Sequence, residues 1–227
     1  MSTPLHNELK KEFQLERFIL FSDAVFAIAI TLLVIEIKIP EVHGKLSDAL
    51  LLQSLKHLIP KFMGFFITFM LIGMYWTVHH RMFGFVINYN RKLLWINLFF
   101  LFFIILMPFS NGFYSEYANA TFLQQLKVPL TFYVLNFCAA GFMNFFLWMY
   151  ITNPKNNLID VSHIKVQTIR EAKTRALIVP VIFLSTLPVA YFVDVQLAVY
   201  IPLLIPITLR FFKRHWKNEN AKKLSTT

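Results

Sequence analysis

Six long apolar runs take up most of the sequence and constrain its fold more than any other feature. They fall at residues 18–39, 60–78, 93–114, 128–151, 176–193 and 195–210. A helix rises about 1.5 Å per residue, so runs of this length cross a bilayer core of roughly 30 Å. Of the 227 residues, 57% are hydrophobic and 15% are charged, unlike an ordinary soluble domain. We predict an all-α integral membrane protein of six transmembrane helices, forming one domain over residues 1–227 with no separate soluble domain.

The fifth and sixth runs are the shortest. They are interrupted only by two polar residues, Asp194 and Gln196. This spacing predicts a tight helical hairpin or a broken helix. Four of the ten prolines lie in these runs, at positions 180, 188, 202 and 206, which predicts kinked helices. The single cysteine, Cys138, lies among apolar residues, so a disulfide framework is excluded.

The basic residues lie mostly on one side of the predicted bundle. Seventeen of the 22 lysines and arginines fall in the N-terminus, the 79–92 and 152–175 loops and the C-terminal tail. By the positive-inside rule, this side is cytoplasmic, which predicts a multi-pass protein of the plasma membrane with both termini in the cytoplasm. The basic residues are spread over four segments and form no single patch, so nucleic-acid binding is not predicted.

Polar residues from three predicted helices occur at a similar depth near the basic side. Ser22 and Asp23 lie inside the first run, where an acidic side chain is costly unless it has a partner or a function. The second run ends in YWTVHHRMF, and the third begins within RKLLWIN. These stretches contribute the remaining members of the layer, Trp76, His79, His80 and Asn97.

Two roles are open for this layer. In the structural role, Asp23 accepts hydrogen bonds from His79 or His80, and from Arg17 or Asn97. In the functional role, Asp23 relays protons or binds an ion. We favour the structural role, because at about 100° per residue Asp23 lies roughly 140° from Ile28 around the helix. A metal site at the two histidines is not predicted, because the spacing offers no third ligand.

One face of the first helix carries a regular stripe. Spacings of three and four residues place six side chains on this face: Arg17, Phe21, Ala24, Ile28, Thr31 and Ile35. Leu32 lies beside them. From periodicity alone, packing against other helices is the simplest interpretation of such a stripe.

The same residues resemble a known signature. The pattern R-x-x-x-F-S-D, formed by Arg17, Phe21, Ser22 and Asp23 and followed by AVFAIAITLLV, is similar to the first helix of the endolysosomal potassium channel family typified by transmembrane protein 175. The W-x-x-H-H-R-x-F end of the second run and the Trp-Ile-Asn opening of the third are similar to its bacterial members. The resemblance extends over the six-helix layout, and the single repeat resembles the bacterial single-repeat members.

The resemblance implies a homotetramer with the first helix of each chain lining a central pore. By position after the F-S-D motif, Ile28 corresponds to the principal constriction and Ile35 to a second apolar layer, with Leu32 beside the gate. Thr31 corresponds to the threonine implicated in selectivity. The motif residues brace the first helix within the subunit, together with the polar residues at the ends of the next two helices: Arg17, Phe21, Ser22, Asp23, Trp76, His79, His80 and Asn97.

The resemblance therefore implies a potassium-permeable cation channel with a modest preference for K⁺ over Na⁺. No TVGYG-like filter occurs in the sequence, so selectivity is expected from side chains. The expected partners are copies of the same chain, the lipid bilayer and monovalent cations; K⁺ is the permeant ion and no cofactor is expected. A proton-permeable channel is the alternative, and a secondary transporter is less favoured. Enzyme activity is not expected, because only the group of Asp23, His79 and His80 could serve as a reactive centre at depth, and its structural role is favoured. Glu36 and Glu41 either concentrate cations at the outer mouth or are ordinary solvated residues.

Overall fold

The computed structural model describes residues 11–40, 46–117, 124–160 and 166–212, and within these ranges the chain is almost wholly helical. The α-helices whose bounds lie within these ranges are α1 Lys11–Ile35, α2 Asp48–His57, α3 Ile59–Phe83, α4 Arg91–Glu116, α5 Val128–Ile151, α6 Val166–Leu184, α7 Thr186–Phe192 and α8 Val195–Ala198. Two short 3₁₀ turns follow α5 and α8, at Pro154–Asn156 and Ile201–Leu204. Residues 205–212 are again helical.

Six segments are long and apolar enough to cross a membrane, which confirms the predicted number of spans. They are Lys11–Ile35, Ile59–Phe83, Arg91–Glu116, Val128–Ile151, Gln167–Phe192 and Val195–Phe212. The fifth and sixth are each made of several helical pieces. Proline residues interrupt the ladder of α6 at Pro180 and also that of α4 at Pro108, because proline lacks a backbone N–H.

The helices differ from the sequence prediction at their polar ends. Helix α1 begins at Lys11 rather than at residue 18, and α6 begins at Val166, ten residues before its apolar run. The sequence prediction also lacked α2, an amphipathic helix whose N-cap is Ser47. The hairpin between the last two spans is confirmed at Asp194, whose Oδ1 accepts hydrogen bonds from the backbone N–H groups of Gln196 (2.7 Å) and Leu197 (3.1 Å).

The helices pack in a sequence that leaves α1 at one side. Helix α1 packs on α3 and α4, α4 packs extensively on α5, and α5 packs on α6. Bulky side chains fill the space between them, with Phe26, Ile72, Phe100 and Phe137 each at most 2% exposed. The subunit core is therefore built mainly on α4 and α5.

Two loops join at one end of the bundle. The backbone N–H of Ile87, after α3, donates to the carbonyl of Leu158, after α5, at 2.9 Å, within a short antiparallel bridge between Val86 and Ile159. The start of α1 lies at the same end, because the rings of Phe18 and Phe83 are 5.4 Å apart. This end, formed by the start of α1, residues 79–92, residues 152–160 and the start of α6, is called the basic end below.

Helices α5 and α6 approach each other closely at Gly141. A Cβ atom at this position would lie 2.7 Å from Pro180 Cβ and 3.0 Å from the Tyr75 hydroxyl. One turn away, the thiol of the buried Cys138 donates to the carbonyl of Pro180 at 3.3 Å. The absence of a side chain at Gly141 thus allows three helices to meet.

Candidate pore-lining face and polar network

Helix α1 has two distinct faces within the subunit. Its buried face contains Leu15, Phe18, Ser22, Val25, Phe26, Ala29 and Leu33. The opposite face contains the predicted stripe, and all six of its members are exposed: Arg17, Phe21, Ala24, Ile28, Thr31 and Ile35. The subunit's own helices therefore do not cover the stripe, and packing within the subunit does not account for it.

The exposed face is apolar around one hydroxyl group. Ile28 is 55% exposed, Ile35 is 68% exposed, and Leu32 beside them is 38% exposed. Between the two isoleucines, the Thr31 hydroxyl bonds back to the carbonyls of Ala27 (3.0 Å) and Ile28 (2.9 Å). Because the hydroxyl hydrogen is used within the helix, the oxygen lone pairs remain available on this face.

A chain of hydrogen bonds joins the buried face of α1 to α3 and α4. The Ser22 hydroxyl donates to the carbonyl of Phe18 at 3.1 Å, so its oxygen accepts from Asn97 Nδ2 at 2.9 Å. Asn97 Oδ1 then lies 2.8 Å from His79 Nε2. Since Asn97 Oδ1 can only accept, His79 carries its proton on Nε2 and donates it. Ser22, Asn97 and His79 are all 0% exposed. Each hydrogen bond in the chain determines whether the next group donates or accepts.

Aromatic rings enclose the imidazole of His79. Its ring stacks on Phe83 with centroids 4.3 Å apart and lies nearly parallel to Phe100 at 5.6 Å. Phe26 of α1 lies 5.4 Å away. His79 Nδ1 has no hydrogen-bond partner in the part of the chain that the structure describes. The imidazole thus packs as a flat ring between three helices, and its polar contact is made through Nε2.

Asp23 has a different partner from the one predicted. The indole Nε1 of Trp76 on α3 donates to Asp23 Oδ1 at 3.0 Å. The expectation that a histidine, Arg17 or Asn97 would bond to Asp23 is wrong, because Ser22 and Asp23 are about 100° apart around the helix. Ser22 faces the core, whereas Asp23 lies at its edge, beside Trp76.

Two further members of the predicted layer lie outside the buried chain of bonds. His80 is exposed, and its ring lies 5.5 Å from the ring of Trp76. The Arg17 guanidinium lies 5.9 Å from the ring of Phe13. The prediction that polar residues of α1, α3 and α4 lie at a similar depth therefore holds. The layer itself divides into a buried branch at Ser22 and a more exposed branch at Asp23.

The arrangement offers bracing contacts and no reactive centre. Across the described ranges, no group of three histidine, cysteine, aspartate or glutamate side chains is placed to hold a metal ion. The hydrogen bonds instead connect α1 to α3 and α4, which fixes the rotation of α1 and thereby which face stays uncovered.

A second polar cluster, near the other end of the bundle, was not predicted. The Thr68 hydroxyl lies 3.0 Å from Asn111 Oδ1 and 3.0 Å from the Tyr133 hydroxyl, linking α3, α4 and α5. The sequence feature that could have indicated this cluster is the presence of these polar residues within apolar runs. The carboxyl group of Glu36 lies against Gly112 of α4, so it is turned toward the subunit's own helices. Glu41 lies outside the described residues.

Comparison with known proteins agrees with this geometry. Residues 17–108, which contain the stripe and both branches of the polar layer, match the family model of the endosomal/lysosomal potassium channel TMEM175. The fold matches the crystal structure of a lysosomal potassium-selective channel TMEM175 homolog from Chamaesiphon minutus, with a TM-score of 0.71 and 26% identity. That match covers 87% of this chain and 97% of the other. In both sequence and fold, this chain is therefore similar to the TMEM175 channels.

Curated TMEM175 relatives are also found by sequence. A potassium channel of Chryseobacterium sp. is 38% identical over 91 residues, which covers 40% of this chain and 44% of that relative. A chicken protein named endosomal/lysosomal proton channel TMEM175 is 30% identical over 149 residues, covering 62% of this chain and 28% of that protein. The sequence matches thus span less than half the length of each of these two relatives. Both relatives are ion channels and not enzymes.

Proposed function

We propose that this chain is the subunit of a potassium-permeable cation channel in the plasma membrane, with both termini in the cytoplasm. A homotetramer would place the stripe of α1 from each copy around a central pore. The observation that carries the proposal is the uncovered stripe itself. It lies on a helix whose opposite face is locked into the core, so its orientation is fixed.

Rotational symmetry explains how such a face would be covered. A surface that meets a different surface on the next copy generates a ring when the rotation closes. Around that axis, the copies of Ile28 would form an apolar collar narrow enough to lose its water and close. Ile35 would form a second apolar layer, and Leu32 would lie between the collar and the neighbouring subunit.

Thr31 supplies the polar atoms between the two apolar layers. Its oxygen keeps lone pairs free on the exposed face, because its hydrogen is donated within α1. A ring of such oxygens would contribute ligands to a partly dehydrated cation. Side-chain hydroxyls are more mobile than a rigid carbonyl filter, so we expect only a modest preference for K⁺ over Na⁺.

The names of the relatives support two candidate permeant ions. The bacterial relative and the Chamaesiphon structure are named as potassium channels, which favours K⁺. The chicken relative is named a proton channel, so proton permeation is the second candidate. A secondary transporter is less favoured, since such proteins commonly carry charged side chains at the middle of the membrane, and the middle of these spans has almost no ionisable residue.

The test is a flux assay on purified protein in liposomes, comparing the native chain with Ile28→Asn. The matched control is Val34→Asn, because Val34 is also on α1 and is also 55% exposed. At about 100° per residue, it lies roughly 120° around the helix from Ile28. Potassium and sodium gradients are imposed separately, and a pH-sensitive dye with a protonophore control detects protons.

A polar residue in the collar stabilises water there, so Ile28→Asn should raise K⁺ flux at least about tenfold while Val34→Asn leaves it near the native level. Equal effects of both variants would contradict the assignment of the pore face. Dye signals that rise in Ile28→Asn without K⁺ flux would favour the proton channel. Absence of flux in every variant of the intact protein would contradict a channel.

A further inference from the structure

We propose that a cavity inside each subunit binds an anionic phospholipid, with the phosphate at the basic end and one acyl chain directed into the bundle. The cavity has a volume of about 270 Å³ and lies between α3, α5 and α6. It is separate from the stripe of α1 and does not depend on the proposed channel function. Its lining changes in character along its length, and this change carries the proposal.

Two arginines mark the basic end of the cavity. Arg81, from the last turn of α3, and Arg175, from α6, both line it and are both exposed. Within the described ranges, no carboxylate lies within 4.0 Å of the Arg81 guanidinium. Arg175 Nη2 lies 3.5 Å from Glu171 Oε2, a distance that leaves the guanidinium able to contact a second anion. Two guanidinium groups provide the fork of donors that a phosphate accepts.

Deeper in the cavity, two buried polar atoms on α5 have no hydrogen-bond partner among the described residues. They are Asn144 Oδ1, an acceptor, and Trp148 Nε1, a donor, on side chains only 4% and 2% exposed. Both residues line the cavity and lie one helical turn apart. Because buried polar groups are normally paired, a ligand that displaces the side chains covering these two atoms would gain a hydrogen bond with each of them. Phosphate or ester oxygens would accept from Trp148, and a headgroup hydroxyl would donate to Asn144.

The end of the cavity farthest from the two arginines is mainly apolar. Pro180, Tyr75 and Gly141 meet there, where a Cβ on Gly141 would have no room. A volume of about 270 Å³ corresponds to about nine waters at ~30 Å³ each, which suits part of one acyl chain better than two chains. The order of charge, hydrogen-bonding groups and apolar wall is the order of groups along an anionic phospholipid. A phosphatidylglycerol molecule, with its phosphate and its hydroxyls, fits it.

The test measures lipid retained by the purified full-length chain. The protein is equilibrated with mixed micelles containing equal amounts of phosphatidylglycerol and phosphatidylcholine of the same acyl chains, and bound lipid is counted by native mass spectrometry. The variant Arg81→Ala/Arg175→Ala removes the charges. Arg91→Ala is its control, since Arg91 is an exposed arginine at the start of α4 that does not line the cavity. Ala176→Phe fills the cavity, with the exposed Leu177→Phe as its control.

We expect the native chain and both controls to retain phosphatidylglycerol over phosphatidylcholine. Retention should fall at least about tenfold in the double arginine variant and in Ala176→Phe. Phosphatidylglycerol with brominated chains gives a second measurement, because bromine quenches a nearby indole. The part of the quenching that is lost in Trp148→Phe should also be lost in the double arginine variant.

Three results would overturn the proposal. Equal retention of the two lipids would remove the role of the negative charge. Unchanged retention in the double arginine variant relative to Arg91→Ala would place the lipid elsewhere. When an equal amount of oleate is added to the same micelles, retention of oleate in preference to phosphatidylglycerol would show that a free fatty acid, and not a phospholipid, occupies the cavity. Circular dichroism of every variant establishes that the helices are intact, so a loss of lipid reports on the site.

Discussion

At the scale of single residues, the direction of each hydrogen bond in the buried network follows from the chemistry of its members. The Ser22 hydroxyl has one hydrogen and gives it to the carbonyl of Phe18. Its oxygen can then only accept, which orients the amide of Asn97 and in turn fixes the tautomer of His79. Asn97 is the centre of this network, because it contacts both of the other side chains.

Replacing Asn97 with leucine should therefore destabilise the subunit. The substitution leaves the buried Ser22 oxygen and His79 Nε2 without partners, at a cost of about 1–2 kcal/mol. We expect the melting temperature of the purified protein to fall by a few degrees. The K⁺ over Na⁺ permeability ratio of the surviving channels should be unchanged, since Asn97 faces away from the stripe.

Asp23→Asn is the matched comparison for this prediction. Asp23 is only partly buried, and an asparagine oxygen can still accept from Trp76 Nε1. We expect a smaller fall in melting temperature than for Asn97→Leu, with ion preference again unchanged. If Asp23→Asn altered selectivity in a well-folded channel, Asp23 would have a role in permeation and not in bracing α1.

At the scale of helices, hydropathy predicted the apolar part of each span and little beyond it. The bounds of α5 were predicted to the residue, since both of its ends coincide with changes in hydropathy. Helix α1 extends a further seven residues toward its N-terminus, from position 18 back to Lys11, through a polar stretch that hydropathy does not register. Helix α2 was missed because it has no buried residue and is too short to span a membrane.

The partners of polar side chains were less predictable than the helices that carry them. Depth along a helix follows from counting residues, so the meeting of α1, α3 and α4 was expected. Which of two adjacent residues faces the core depends on the rotation of the helix, and a rotation of about 100° exchanges Ser22 for Asp23. That rotation is set by packing of bulky residues such as Phe26, for which the sequence offers many equivalent choices.

The close approach of α5 to α6 at Gly141 predicts that alanine is unfavourable there, whereas alanine at Gly73 in α3 should be favourable. Gly141→Ala would push a methyl group against the rigid ring of Pro180, at a cost of about 1–3 kcal/mol. Gly73→Ala in α3 meets no atom within 4 Å and should stabilise its helix by up to about 1 kcal/mol. The melting temperatures of the two variants should move in opposite directions, and a fall of equal size in both would contradict the packing argument.

At the scale of the whole molecule, burial is distributed unevenly among the spans. Half of the apolar window of α5 is buried within the subunit, compared with 28% for that of α1. Helix α5 is thus central to a single copy, whereas α1 is peripheral despite its specific contacts with α3 and α4. A peripheral helix held in a fixed rotation is suited to contact with other copies.

Thr31→Val tests the selectivity assigned to the assembled pore. The substitution keeps the shape of the side chain and removes the oxygen from the exposed face. We expect the K⁺ over Na⁺ permeability ratio to fall by a factor of about two or more, since the oxygens would bind the partly dehydrated ion. Stability should change by less than about 0.5 kcal/mol, because the site is exposed and the hydroxyl bonds only within its own helix.

A ratio equal to that of the native channel, measured by reversal potentials in planar bilayers, would remove Thr31 from the selectivity mechanism. Ser54→Ala is the control for loss of a hydroxyl that bonds within its own helix, in this case to Leu50 in α2. It should leave the ratio unchanged, because Ser54 lies on α2, which has no buried residue, and not on the stripe of α1.

Because Cys138 is buried, cysteine labelling can be used to measure when water reaches the candidate pore-lining face of α1. Cys138 is the single cysteine of the chain, and its thiol is 2% exposed and donates to Pro180. The native chain should therefore react very little with water-soluble thiol reagents. The rate at which a charged methanethiosulfonate labels a cysteine introduced at position 28 would show when water reaches the stripe of α1, and a cysteine at position 34 would be the control off the stripe.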